Sequence, residues 1–412
     1  MLMRSTIKIL LVQLYLFNRV FTSPVYDPKL THAHEANGLN IRYPVIFIHG
    51  IGGTQAHCIV KDPQSRVKRF IVWIRLIIFL IPEKLFSYMG LEYDPVSKTT
   101  KEKDICDVEF PGWGDTWASE YLTEEKYAPS GYLKLLVDGL TEDSYFIRNK
   151  TLRAAPYDFR KTPQENLKYF EKLKQLVEET YENGGYRPVY LLAHSMGSLY
   201  AMYFLKQQTK HWKQQYIRGY ISVSAPFGGS MEALYSETCG NNFGIPSRTP
   251  FGFRTAERSF PAMAFLLPDP RLWSKDEKVI VTPTKNYSVH DMKEIFDDIS
   301  FPSGYLMMQE GKKTIDTLER PTDVDIYCIY GVQLPTISQM IFSSPGQFRS
   351  SFPNHIPLIK YGDGDGMVNI RSLSVCRNWK SVNEILLPHS SHEDILKDQR
   401  LIDIVKRILI IK

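Results

Sequence analysis

Short apolar runs alternate with amphipathic segments along most of the chain. Three continuous apolar runs have the length of buried strands, and they lie at Val45–His49, Val189–Leu192 and Tyr220–Ser224. Two segments between them, Gln164–Tyr181 and Ser198–Gln207, carry apolar residues at helical spacing. Strands and helices that alternate in this way predict right-handed βαβ units, and hence an α/β fold with a mostly parallel sheet. Later runs predict further strands and a closing helix, at Asp325–Val332, Glu384–Leu387 and Glu393–Leu409.

Two stretches depart from this alternation. Phe70–Ile81 is almost entirely apolar, carries Arg75 in its middle and precedes Pro82. It is too short to cross a bilayer as a helix, which needs about 20 apolar residues. Residues 230–311 are rich in proline, glycine and aromatic side chains, and we interpret them as a cap inserted over the sheet rather than as a separate domain.

The composition is that of a folded globular protein. Of 412 residues, 43% are apolar and 23% are charged, which excludes a disordered, collagen-like or coiled-coil chain. Lys and Arg outnumber Asp and Glu by 50 to 45, and this net charge of +5 is too weak to indicate binding to nucleic acid.

The N-terminal segment has the features of a secretory signal. A charged start precedes a short apolar run, Ile9–Phe17, and polar residues follow near Thr22. We therefore predict a signal peptide at residues 1–22 and a mature chain at 23–412, with a short anchor or a disordered start as the alternative. Two Asn-x-Ser/Thr glycosylation acceptors, Asn149 and Asn286, fit a secretory route.

The cysteines predict disulfides rather than a metal ribbon. None of the five forms a C-x-x-C motif, and an odd number in an oxidising compartment leaves at least one free thiol or an intermolecular bridge. Cys328 and Cys376 are the favoured pair, because each lies within or just beyond a predicted strand.

The segment Ala193–Gly197 matches the nucleophile elbow of serine hydrolases. It follows a predicted buried strand and precedes a predicted helix, which is the context that this motif requires. Small residues at both ends, Ala193 and Gly197, allow the strand and the helix to pass closely. The motif therefore predicts Ser195 as a nucleophile. The oxyanion hole would be formed by the backbone amide of Met196 and by that of Ile51, in a glycine-rich loop after the first strand.

A nucleophilic serine needs a base and an orienting carboxylate, which in this fold follow the serine in chain order. The carboxylate candidates are Asp363 and Asp365, in a glycine-punctuated segment that could alternatively form a calcium loop. The base candidates are His389 and His392, which could alternatively bind a metal as a pair. We favour His392, because it lies immediately before the closing helix. No complete metal-binding motif is present, so we predict neither a metal nor a cofactor.

Several motifs together resemble the lecithin:cholesterol acyltransferase-like lipases. The resemblance extends from about Tyr43 to about Ile408. The motifs that carry it are Phe110–Gly114, Ala155–Arg160, Ala193–Gly197, Ser224–Gly229, Thr282–Ser288, Tyr327–Gly331 and Gly362–Asn369.

This resemblance implies an α/β-hydrolase fold with a cap insertion at about 230–311 and a small membrane-binding or lid insertion at about 58–106. It also implies a serine triad of Ser195, Asp365 and His392, a disulfide between Cys328 and Cys376, and glycosylation at Asn286. Two features depart from the family. Ile51 stands where the family usually has Asp, and no cysteine lies at 82–88 to pair with Cys58, whose alternative partner is Cys106.

The resemblance further implies a serine phospholipase and O-acyltransferase of the lysosome or the extracellular space. A glycerophospholipid in a bilayer or lipid particle would be the acyl donor, and water or a lipophilic alcohol such as ceramide or a sterol the acceptor. Trp73, Leu76 and Phe79 would then form an exposed membrane-binding patch, with a buried core helix as the alternative. The competing functions are a neutral-lipid lipase and a catalytically silent lipid-binding protein.

Overall fold

Six parallel strands form the central sheet within the residues that the computed structural model describes, which are 40–75, 81–241, 250–346 and 351–411. From one edge to the other, these strands are Val382–Pro388, Asp325–Val332, Ile217–Val223, Val189–His194, Val45–Ile48 and Leu152–Ala154. Every neighbouring pair runs parallel. The predicted mostly parallel sheet is therefore confirmed.

Strands are numbered in chain order across the described residues. They are β1 (Ile41–Arg42), β2 (Val45–Ile48), β3 (Ala56–Val60), β4 (Arg69–Trp73), β5 (Leu91–Asp94), β6 (Thr99–Glu102), β7 (Cys106–Glu109), β8 (Leu152–Ala154), β9 (Val189–His194), β10 (Ile217–Val223), β11 (Ile280–Val281), β12 (Asn286–Tyr287), β13 (Asp325–Val332), β14 (Leu334–Ile341), β15 (Leu358–Gly364), β16 (Val382–Pro388) and β17 (Ile410–Ile411).

The α-helices of the same residues are numbered likewise. They are α1 (Pro82–Met89), α2 (Trp117–Glu120), α3 (Lys134–Thr141), α4 (Leu167–Asn183), α5 (Met196–Gln207), α6 (Lys210–Tyr216), α7 (Met231–Cys239), α8 (Phe251–Glu257), α9 (Pro261–Phe265), α10 (Met292–Asp298), α11 (Pro302–Thr314), α12 (Ile370–Leu373) and α13 (Gln399–Leu409). In this part of the chain no helix is both long and apolar enough to span a bilayer.

The central strands are apolar throughout because helices cover both faces of the sheet. Side chains alternate between the two faces, so Ile46 and Leu191 join one core cluster while Val45 and Leu192 join the other. All side chains of β2 and β9 are buried. Continuous apolar runs of this kind are what a parallel sheet that is buried on both faces requires.

The closing helix is shorter than predicted. A 3-10 turn at Asp394–Lys397 precedes it, and α13 begins only at Gln399. The side chain of Asp398 caps α13 by accepting a hydrogen bond from the Arg400 amide. His392 therefore lies in a loop several residues before the helix rather than immediately before it.

Between β2 and β8 the chain leaves the central sheet, and this segment includes residues 58–106, for which the sequence predicts a membrane-binding or lid insertion. Strands β4, β3 and β7 make a small antiparallel sheet, and β5 and β6 make a hairpin. A disulfide joins Cys58 to Cys106 on β3 and β7. The start of the apolar stretch Phe70–Ile81 is a strand with Val72 fully buried, so at these positions it is not the core helix that we considered.

Between β10 and β13 lies the region predicted as a cap, which contains helices α7 to α11. A second sheet, in the order β12, β11, β14, β15, adjoins it. The glycine-punctuated segment that carries Asp363 and Asp365 is in part a strand, because Tyr361–Gly364 is the end of β15, which pairs antiparallel with β14. A second disulfide joins Cys328 on β13 to Cys376, and Cys239 is a buried free thiol.

Helix α7 carries a buried carboxylate, Glu237. Both of its carboxylate oxygens lack a hydrogen-bond partner in the described residues, and burial raises its pKa to about 8, although Arg258 partly opposes the shift. Burial also raises the pKa of the nearby Glu257. The folded protein therefore holds a proton on Glu237 that the unfolded chain releases at a lower pH.

We expect Glu237→Gln to weaken the pH dependence of stability. Because the pKa of Glu237 is higher in the folded state, its contribution is complete below the unfolded pKa near 4.5 and is lost as the pH rises toward 8. In thermal unfolding measured from about pH 5 to about pH 8, the Tm of the variant should rise relative to the Tm of the wild type as the pH increases. Glu319→Gln, at a side chain that is 66% exposed, is the control. Parallel curves for wild type and Glu237→Gln would contradict this account.

Candidate active site

Ser195 lies on a sharp turn between β9 and α5. Its backbone has a φ of 54° and a ψ of −131°, a conformation that L-residues rarely adopt. The turn is possible because neighbouring residues lack side chains. A Cβ on Gly197 would clash with the carbonyl oxygens of Ile48 and His49, and a Cβ on Gly50 would approach the Ser195 Cβ to 2.7 Å. The helix and the loop after β2 thus meet directly at Ser195.

Ser195, His392 and Asp365 form a continuous hydrogen-bonded chain. The Nε2 atom of His392 lies 2.8 Å from the Oγ of Ser195, and its Nδ1 lies 2.7 Å from an Oδ of Asp365. The exposed fractions are 6% for Ser195, 6% for His392 and 0% for Asp365. The structure therefore brings together the three residues that the sequence indicated as a triad.

Asp365 is held rigidly at the end of β15. Its second carboxylate oxygen accepts hydrogen bonds from the amides of Met367 at 3.1 Å and Val368 at 2.8 Å. Its backbone carbonyl accepts from the His392 amide at 2.8 Å. The carboxylate and the imidazole are thus linked through both backbone and side chain.

The alternative candidates lie elsewhere. Asp363 is exposed and its carboxylate accepts a hydrogen bond from the Gln333 amide. His389 is also exposed, one residue beyond β16. Neither joins the chain of contacts at Ser195.

The loop after β2 is pinned at its first glycine. The Gly50 amide donates to the Tyr132 hydroxyl at 2.9 Å, and the Gly50 carbonyl lies 2.7 Å from the His49 Nδ1. These contacts orient the peptide between Gly50 and Ile51, whose amide makes no hydrogen bond within the described residues. Met196 is the first residue of α5, so its amide has no acceptor within the helix. Both predicted oxyanion donors thus have amides available to a ligand.

Three buried histidines differ in their electrostatics. Burial lowers the pKa of His49 to about 4 and that of His194 well below its ordinary value. Burial also acts to lower the pKa of His392, but the Asp365 carboxylate, with smaller contributions from Glu393 and Glu232, outweighs it and raises the pKa. Of these three histidines, only His392 therefore has a pKa that suits a catalytic base.

Trp73 does not occupy the position predicted for it. It is partly buried in β4, its indole Nε1 donates to the Gly52 carbonyl at 2.7 Å, and its ring lies 5.6 Å from that of Phe159. The ring supports the loop beside Ser195 instead of forming an exposed patch, because the small antiparallel sheet turns this end of β4 inward. Leu76 and Phe79, the other predicted membrane-binding residues, lie outside the described residues.

The residues that support the site were not predicted from the sequence. Tyr132, His194 and Trp73 contact the oxyanion loop or the backbone of the triad. His194 stood inside the elbow motif, but nothing in its spacing indicated a partner. The two predicted glycosylation acceptors, Asn149 and Asn286, are exposed.

The family model for lecithin:cholesterol acyltransferase matches residues 72–316 and 309–406, which is most of the chain. The chain belongs to the lecithin:cholesterol acyltransferase family. The fold is that of the α/β hydrolases, with a parallel sheet between helices and a serine on a strand-to-helix turn.

Two relatives of this acyltransferase family illustrate the similarity. The chain is 34% identical over 382 residues to the lysosomal phospholipase A and acyltransferase of Homo sapiens, covering 89% of this chain and 90% of the relative. It is 34% identical over 381 residues to the phosphatidylcholine-sterol acyltransferase of Gallus gallus, covering 90% and 88%. Among solved structures, a chain of the Tle4-Tli4 complex superposes with a TM-score of 0.51 at 12% identity, covering 87% of this chain and 96% of that one. At that identity the structural likeness concerns the fold alone.

Proposed function

We propose that this protein is a serine phospholipase A and O-acyltransferase. It removes a fatty acyl chain from a glycerophospholipid and passes the chain to water or to a lipophilic alcohol such as ceramide or a sterol. The observation that carries this proposal is the chain of two hydrogen bonds, of 2.8 and 2.7 Å, from Ser195 through His392 to Asp365. The activities named for the relatives, phospholipase A and acyltransferase, support it.

In the first half-reaction, the Ser195 hydroxyl attacks the ester carbonyl carbon while His392 Nε2 takes the hydroxyl proton. Asp365 accepts a hydrogen bond from His392 Nδ1 and stabilises the imidazolium. The amides of Ile51 and Met196 stabilise the oxyanion. The ester bond then breaks, His392 returns its proton to the departing oxygen, and the lysophospholipid leaves an acyl-enzyme on Ser195.

In the second half-reaction, His392 removes a proton from the acceptor hydroxyl. The acceptor oxygen attacks the acyl-enzyme, the bond to Ser195 Oγ breaks, and the proton on His392 restores the serine hydroxyl. Water yields a free fatty acid, and a lipophilic alcohol yields an ester. The triad and the oxyanion amides serve both acceptors equally, so access of the acceptor to the acyl-enzyme decides the product.

We propose the secretory pathway as the route and the lysosome or the extracellular space as the destination. The signal-like residues 1–22 lie outside the described residues, but two disulfides fit an oxidising compartment. The name of the human relative includes the lysosome. Glycosylation at Asn149 and Asn286 belongs to the same proposal.

We propose that the insertion between β2 and β8 contacts the lipid surface, which is a bilayer or a lipid particle. Exposed apolar side chains, Val67 at 54% and Ile105 at 45%, line one groove in this insertion. Two cations, Arg75 and Lys84, and two carboxylates, Asp62 and Asp104, line the same groove. The proposal therefore rests on the exposed apolar side chains, which suit the apolar depth of a lipid interface, because the charges that line the groove balance.

Ser195→Ala and His392→Ala should each abolish turnover, because each removes an atom that the chemistry requires. The assay uses mixed liposomes that contain a short-chain ceramide and reads fatty acid and acylceramide together, at about pH 4.5 and about pH 7.5, on either side of the ordinary histidine pKa. The wild type should also form a covalent fluorophosphonate adduct at Ser195, and Ser195→Ala should form none.

His389→Ala is the matched control for His392→Ala and should keep wild-type turnover. Full activity in His392→Ala would refute the assigned base. A folded wild type that forms no adduct would identify a silent lipid-binding protein, whereas a preference for triolein over phospholipid vesicles would identify a neutral-lipid lipase.

Activity on a soluble ester should depend on pH through His392. The base works only when it is neutral, and its pKa is raised above 6.5, so kcat/KM should fall about tenfold per pH unit below that pKa. The measurement is the pH profile of kcat/KM for p-nitrophenyl butyrate. Glu393→Gln should move the acid limb to lower pH, since the Glu393 carboxylate helps to raise the His392 pKa, and Glu319→Gln should not. A half-maximal pH below 6 in the wild type would contradict this prediction.

The double variant Val67→Asp and Ile105→Asp should weaken binding to phospholipid vesicles by at least about tenfold, because each loses the gain from burying an apolar side chain. Hydrolysis of p-nitrophenyl butyrate should be unchanged. The control is Leu167→Asp, at an apolar side chain that is 52% exposed outside the insertion. Equal vesicle binding by control and double variant would exclude this groove as the contact.

A further inference from the structure

A second chain of hydrogen bonds runs behind the triad. The Gly50 amide donates to the Tyr132 hydroxyl at 2.9 Å, and that hydroxyl lies 2.7 Å from Nδ1 of His194. The Nε2 of His194 lies 2.8 Å from the backbone carbonyl of His392. Four segments that are far apart in sequence are thereby joined in one line.

Donors and acceptors in this chain fit a single arrangement. The His392 carbonyl can only accept, so the proton of His194 must lie on Nε2. Nδ1 is then an acceptor, and the Tyr132 hydroxyl donates to it while accepting from Gly50. Removing the Tyr132 hydroxyl would leave both the Gly50 amide and His194 Nδ1 without their partner.

The packing around Tyr132 reinforces the same arrangement. A Cβ on Gly53 would approach the Tyr132 ring to 2.6 Å, so the ring lies directly on the oxyanion loop. The rings of Tyr132 and His194 meet edge to face at 5.6 Å. His194 itself is 3% exposed, so no water competes strongly for its nitrogens.

We infer that Tyr132 is a positioning residue. Through His194, it fixes the position of the oxyanion loop relative to the backbone of the base, His392. This inference rests on the proposed function. The backbone of His392 is then held on both sides. The Asp365 carbonyl accepts a hydrogen bond from the His392 amide, and His194 Nε2 donates one to the His392 carbonyl. The loop that presents the Ile51 amide is held by the same tyrosine, so the hydrogen bonds of Tyr132 and His194 link the oxyanion loop to the base.

The test compares Tyr132→Phe with the wild type on p-nitrophenyl butyrate, with kcat counted per active site by fluorophosphonate titration. We expect kcat to fall about 10- to 100-fold, as loss of a buried hydrogen bond that leaves a partner unpaired would produce. KM should stay within about twofold, because ground-state binding does not use these groups. The titration should still label every molecule, but more slowly, which a merely structural defect would not produce.

Tyr145→Phe is the matched control, because it also removes a tyrosine hydroxyl that makes a hydrogen bond, in this case to the Gly184 carbonyl at 3.0 Å. Its kcat should equal that of the wild type. If Tyr132→Phe behaves like Tyr145→Phe while the wild type is active, the inference is overturned and the proposed function stands. A wild type without turnover or label refutes the proposed function itself.

Two variants of His194 complete the test, and they test the inference on their own if Tyr132→Phe does not fold. His194→Gln retains a donor near the Nε2 position, and His194→Asn retains an acceptor near the Nδ1 position. Both should lower kcat at nearly constant KM. In the double variant Tyr132→Phe and His194→Gln, the loss should be smaller than the product of the single losses, because both act through one chain. Wild-type kcat in either histidine variant, or a fully multiplicative double loss, would overturn the inference.

Discussion

The close approach of helix α5 to strand β2 governs the geometry of the site. Gly197 has no side chain, so the start of α5 lies against the carbonyls of Ile48 and His49. Strand β9 can therefore turn directly into the helix and present Ser195 at a φ of 54°, a conformation that costs on the order of 1–3 kcal/mol. The buried strands and helix on either side hold it there. Because β2 continues into Gly50, the same contact places the oxyanion loop beside the nucleophile.

Burial makes the site electrostatically selective. His49 and His194 lie in the same buried region as His392, and burial lowers the pKa of both so that they remain neutral. A neutral histidine can donate with one nitrogen and accept with the other, which is how each of them orients a backbone group. Only His392 faces a carboxylate, and only its pKa is raised. Proton transfer is thus confined to one imidazole while its neighbours act as fixed dipoles.

The sequence predicted the features that depend on local pattern, and not those that depend on distant contacts. The parallel sheet followed from apolar runs that only a doubly covered sheet explains, and the elbow at Ser195 followed from small residues between a strand and a helix. β15 was not predicted, because most of its side chains are exposed and its glycines resemble a turn; pairing with β14 makes it a strand. The inward position of Trp73 and the chain through Tyr132 join segments many residues apart, and a single sequence carries no sign of such pairs.

The stability of the fold and the activity of the catalytic base depend on pH in opposite directions. Glu237 is most favourable to folding when it is protonated, at low pH, whereas His392 can act as a base only when it is deprotonated, at higher pH. At His392 desolvation acts to lower the pKa, but the Asp365 carboxylate outweighs it, so the pKa of the base is raised although the base is buried. At Glu237 burial meets only partial opposition from Arg258, and the pKa of this carboxyl is raised to about 8. Burial therefore favours the neutral form of both groups, and the charged neighbour decides whether that form persists: Asp365 stabilises the imidazolium, whereas Arg258 only partly stabilises the Glu237 carboxylate.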